Sequence, residues 1–239
     1  MKKLSFFLVF LALIGGGIWY IGSNLDSIVA RLIETHGSEA TGTPVRVAGV
    51  AINLSEANAG ISSLSVGNPE GFAGNAIEME AFAIALDSES LTSDVIVIND
   101  ILVKGARLNV IQQANGNNLQ QLIRNLDSGG TSESGDDEGE GKKLIINRFT
   151  LEGASASLTA PDFDEVREVT LPTITLRNIG TAEGGATGRE VARQVLEPVF
   201  EEAIESAAMQ AIKDKASEAI EDAKDAVLEG IFGRDKEPE

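Results

Sequence analysis

The sequence predicts an α+β fold: an N-terminal transmembrane helix, a curved antiparallel β-sheet built from repeated hairpins, and a long C-terminal amphipathic helix. Three observations carry this expectation. Lys2 and Lys3 are followed by an uncharged, mostly apolar run from Leu4 to Leu25. Between residues 44 and 179, apolar residues alternate between turn signals rich in Gly, Asn and Pro. From residue 187 onward they recur at spacings of three and four.

As a helix the first run covers about 33 Å, enough for a hydrocarbon core of about 30 Å. Trp19 and Tyr20, near its far end, suit the headgroup layer, and the two lysines before it place the N-terminus in the cytoplasm. A cleaved signal peptide competes with this reading. No small-x-small site follows the apolar core cleanly, and without a cysteine there is no lipoprotein processing site, so an uncleaved anchor over 1–25 is favoured. Beyond it stand 17 bases against 37 acids, a net charge of −20. Such a surface repels nucleic acid and anionic headgroups, which leaves the anchor to hold the membrane. The pattern reads as a single-pass protein of the bacterial inner membrane with its body in the periplasm.

Over 26–40, Ile28, Val29, Leu32 and Ile33 predict a juxtamembrane helix ended by Gly37. Residues 41–126 form the first part of the β-domain. Pro44 to Leu54 reads as a strand with a bulge or slip near Ala48-Gly49, and Ile61, Leu64 and Val66 continue the β pattern. Asn68-Pro69-Glu70-Gly71 suits a type I turn. Phe82, Ile84 and Leu86 share one face of the next strand. Val95 to Val103 begins apolar on both faces, as a doubly buried strand does. Asn118 to Leu126 reads as a short helix. Residues 127–141 carry no apolar side chain and read as a disordered acidic linker, since their acids do not match a calcium loop.

A repeat crosses that linker. Ile98 to Val110 aligns with Ile146 to Leu158, with Ile, Asn, Gly and Ala identical at four positions. Each copy reads as strand, Gly-Ala turn, strand, an antiparallel hairpin. The second β part, 142–181, closes with a strand from Val169 to Ile179 that Pro172 marks as an edge. Thr187-Gly188-Arg189-Glu190 fits a capping box and opens a helical segment over 187–232, before a tail at 233–239. Its narrow, alanine-rich stripe includes Ile204, Ile212 and Ile220. That stripe can dock on the chain's own sheet or meet a partner helix.

No motif for catalysis occurs. His36 is the only histidine, and there is no cysteine to share a metal with it. No nucleophile elbow, phosphate loop, zinc-protease or dinucleotide signature is present. The expectation is a non-enzyme with no catalytic residues, no metal and no cofactor.

Thr41-Gly42-Thr43-Pro44-Val45, Leu64 to Phe72 (LSVGNPEGF), and Ser90-Leu91 before Asp94-Val95-Ile96-Val97-Ile98 together resemble the AsmA family. These are N-terminally anchored bacterial envelope proteins related to bridge-like lipid-transfer proteins. The resemblance implies a curved β-groove with an apolar lining that contacts phospholipid acyl chains. It also implies a role in envelope lipid homeostasis or outer-membrane biogenesis. About ten strands give a sheet about 50 Å wide, too short to span an envelope gap alone. Phe82, Ile84, Leu86, Ile96, Ile98 and Leu102 are the groove candidates. The alternative is a membrane-tethered scaffold that presents Ile204, Ile212 and Ile220 to a protein partner.

Overall fold

The computed structural model describes residues 25–53, 55–128, 142–161, 166–182 and 184–232. The expected membrane-spanning run therefore falls almost wholly outside the described residues. No helix among the described residues is long and apolar enough to cross a membrane. The fold is α+β with a mixed sheet, which corrects the antiparallel expectation. Most of the expected linker, at 129–141, and the tail at 233–239 also lie outside the described residues.

Residues 25–41 form helix α1. It runs past Gly37 and ends at Gly42, whose φ of 65° supplies the left-handed residue after the last turn. Gly37 has another purpose. A Cβ there would stand 3.2 Å from a Val45 methyl, so the glycine lets α1 lie close to β1 (Val45–Asn53). The chain continues through β2 (Asn58–Gly67), β3 (Asn75–Leu86), a 3₁₀ turn (Ser90–Thr92), β4 (Val95–Lys104) and β5 (Arg107–Gln113). Then follow β6 (Gly116–Asn117), α2 (Asn118–Ser128), β7 (Lys143–Glu152), β8 (Ser155–Thr159), β9 (Arg167–Thr170), β10 (Ile174–Ile179) and α3 (Gly188–Phe232). The tight turn before β3 closes one residue later than expected. Phe72 N–H donates to Pro69 O at 3.1 Å, and Gly71 has φ 91°, which marks a type II turn.

The repeat does not form hairpins. β4 and β5 both run antiparallel to β3, and the register is kept across Gly105-Ala106, with Phe82 opposite Val103 and Ile77 opposite Leu108. They are two halves of one strand joined through Gly105-Ala106. In a hairpin β4 and β5 would pair with each other, whereas here each pairs with β3 on one side and with its own copy in the second repeat on the other. β7 and β8 are halves of a second long strand, joined through Gly153-Ala154. β9 and β10 form a third, which pairs antiparallel with β8 and β7. The two repeat copies lie side by side and parallel, with Ile98 beside Ile146 and Leu108 beside Ala156. The repeat offset is thus the pairing register. A parallel neighbour needs a long crossover, and the chain from β6 through α2 to β7 provides it.

Matched side chains bridge the two copies. Asn147 Nδ2 donates to Asn99 Oδ1 at 3.1 Å, and Ser157 Oγ to Asn109 Oδ1 at 2.8 Å. Lys104 meets Glu152 at 2.9 Å. Arg148 pairs with Asp100, whose hydrogen bond and charge raise the pKa of the guanidinium.

One crease crosses the whole sheet. Ala48, Ser63, Glu80, Gly105, Gly153 and Pro172 fall opposite one another wherever the ladder is interrupted. Ser63, Gly105 and Gly153 have φ of 49°, 64° and 62°. Registers of neighbouring strands agree on both sides of the line, so no strand carries an extra residue as a bulge would require. Instead each strand turns over, and its inward set changes parity. β7–β8 buries Phe149 and Leu151 before the crease, then Ala154 and Ala156 after it. The bulge or slip expected at Ala48-Gly49 does not occur: the strand turns over there with its register kept. A second interruption runs through Asn99, Asn147 and Asn178, the last at φ 57°.

The buried face is covered by α2 and by the first half of α3. Val191, Val199, Phe200, Ala203, Ala207 and Ala211 of α3 are buried. The helix passes Pro198 without interruption. Its N-terminus has the expected capping box: Thr187 N–H donates to Glu190 Oε2 at 2.8 Å, and Glu190 N–H to Thr187 Oγ1 at 3.3 Å. The backbone and hydroxyl bonds from Thr187 hold the Glu190 carboxyl below its ordinary pKa.

Candidate functional site: an apolar cavity between sheet and helices

Helix α1 lies along the outer edge of β1 and satisfies it. Val45 N–H donates to Ser38 Oγ at 2.9 Å, Val47 N–H to Glu34 Oε1 at 2.9 Å, and Ile52 N–H to Asp26 Oδ1 at 3.0 Å. The donors shift from odd to even numbers across the crease, as a strand that turns over requires. An edge so covered cannot pair with another chain. It also sets α1 as one wall of the space over the sheet, facing α3 as the other.

Between these walls is a cavity of about 310 Å³. Its floor is the inward face of β1 to β5 and β7, including Leu64, Ile77, Met79, Phe82, Ile101 and Phe149. Ile33 comes from α1, Leu122 from α2, and Val195, Leu196 and Phe200 from α3. Thr41 is the one polar residue on the lining, and its hydroxyl is engaged with Gly37 O at 2.8 Å and Thr43 O at 3.2 Å. No titratable side chain lines the cavity, so nothing there can transfer a proton or ligate a metal. What it can do chemically is hold hydrocarbon.

The six groove candidates do not converge. Phe82 lines the cavity. Ile98 is partly buried against the core, beside its parallel partner Ile146. Ile84 and Leu102 line a separate, shallower depression of about 560 Å³ with Ile52 and Ala59, near the start of α1. Leu102 sits between inward-facing Ile101 and Val103, on the opposite parity. Leu86 and Ile96 are partly exposed and belong to neither space. Leu64, Ile77, Met79 and Phe149 were missed as lining residues. The signal for them is an apolar spacing of alternate two and three, as in Leu144, Ile146, Phe149, Leu151, Ala154 and Ala156. A strict period of two loses its place at every crease.

Comparison with protein families, with characterised proteins and with solved structures finds no match. The cavity's function rests on its own chemistry.

The helix candidates divide as well. Ile204 is partly buried against the core, whereas Ile212 and Ile220 are 64% and 70% exposed. From residue 215 to 228 every side chain of α3 is exposed. His36 is on the surface of α1, where its Nδ1 lies 3.1 Å from Glu39 Oε2. Among the described residues no group of three acids or histidines is placed to hold a metal ion.

Proposed function

We propose that this protein binds lipid acyl chains in the cavity between α1, α3 and the sheet, beside the bacterial inner membrane to which its apolar N-terminal run tethers it. In that reading the body works in the periplasm, in the envelope lipid homeostasis that the AsmA-like segments imply. The observation that carries it is a cavity of about 310 Å³ without one free polar group on its lining. Water in such a space finds no polar partner, whereas hydrocarbon needs none.

Native mass spectrometry of residues 25–239, prepared without detergent, tests this. The chain must begin at Leu25 so that α1 is kept. The expected result is bound lipid at about one per chain, beside an unrelated exported domain that carries none. A lipid-free, cooperatively folded protein is the contrary result.

A second reading, a tethered scaffold, draws support from the exposed Ile212 and Ile220 on the free half of α3. It requires that Ile212→Asp with Ile220→Asp lose a protein partner while bound lipid is unchanged.

A further inference from the structure

We infer that the cavity is a single-chain site: it admits one unbranched hydrocarbon chain of about a dozen carbons, with the headgroup and any second chain left outside. This rests on the acyl-binding reading above and specifies its ligand. A cavity of about 150 Å³ lined by aliphatic and aromatic side chains accepts one benzene ring. The space here, about 310 Å³, is twice that and holds about twice the carbon. Two phospholipid chains need several times more.

The lining argues the same for the headgroup. Burying a phosphate or carboxylate without a partner is prohibitive. The only hydroxyl on the lining already donates to backbone carbonyls. The body's net charge of −20 further disfavours an anionic head near the mouth. The chain therefore enters tail first, and its chemistry is shared by a lysolipid and by one arm of a diacyl phospholipid.

The test uses the full chain in phosphatidylcholine nanodiscs with trace lysophosphatidylcholine carrying a diazirine at the chain end. Probes have chains of eight, twelve and sixteen carbons, and a diacyl probe carries the twelve-carbon labelled arm. After irradiation, labelled peptides are mapped by mass spectrometry. The expected result is at most one label per protein within 77–82 and 191–200, strongest for the twelve-carbon probe. Filling the cavity from its lining, with Ala192→Phe or Val195→Phe, should reduce it at least tenfold with the melting temperature kept; Met79→Phe replaces either variant if it does not fold. Labelling by the diacyl probe identifies phospholipid as the source, and labelling by lysolipid alone identifies a free single-chain amphiphile. Two labels per protein inside the cavity, or equal labelling at sixteen carbons, overturns the single-chain inference and leaves acyl binding standing. Absence of cavity labelling with every probe overturns both.

Discussion

Gly153 holds a left-handed φ of 62°, and nothing lies within 4 Å of where a Cβ would stand. Its requirement is conformational alone. Gly153→Ala should destabilise the fold by about 1–2 kcal/mol, the cost of a left-handed backbone for an L-residue. Urea unfolding should show a lower midpoint with an unchanged slope. An unchanged midpoint would mean that the strand does not turn over there. At Gly105 a Cβ would also fall 2.7 Å from Glu80 Oε2, but that carboxylate is the mobile end of an exposed side chain. Both glycines were legible as punctuation, since Gly-Ala recurs at the same place in each repeat copy. Their meaning was not, because one left-handed residue inside a strand and a hairpin turn present the same dipeptide.

At the scale of elements, α3 is one helix with two fates. Its apolar residues recur at three and four along its whole length, yet burial stops at Ala211. Ile212→Asp and Ile220→Asp should each change stability by less than about 0.5 kcal/mol, as exposed substitutions do. Ala207→Asp, at a position 1% exposed, should destabilise by several kcal/mol, because it buries a carboxylate without a partner. Thermal melts followed by circular dichroism separate the two classes, and Ile204→Asp should fall between them. Equal losses at all positions would mean that the free half of α3 is covered. The periodicity announced the helix and its cap. Where its cover ends is set by the width of the sheet beneath it, which no helical stripe records.

For the molecule as a whole, α1 has two tasks: it closes the β1 edge and walls the cavity. A chain beginning at Thr43 loses the partners of Val45, Val47 and Ile52 N–H and opens the apolar space to water. Exposed strand edges recruit other chains. That truncation should elute as soluble aggregate and unfold without a cooperative transition, whereas residues 25–239 should elute as a discrete species and melt cooperatively. Discrete elution of both would make α1 an appendage and would remove one wall from the proposed site. The acidic surface favours solubility in either case, so aggregation of the truncation would report on the edge and the cavity.

The sequence by itself determined the types of the main elements between α1 and α3, the capping box at Thr187, the edge character of the Pro172 strand, and a repeat whose offset is the register between β4–β5 and β7–β8. These are short-range matters: propensity, hydrogen bonds between near neighbours, and residues that only certain backbones accept. Tertiary structure alone decided that the copies pair in parallel, that each strand turns over at a shared line, and that Phe82 and Leu102 belong to different spaces. It also decided which half of α3 is covered. The physical reason is that a strand's direction and facing are fixed by what its neighbours must bury. A cavity exists only where α1, α2, α3 and the sheet, distant in sequence, fail to fill the volume between them.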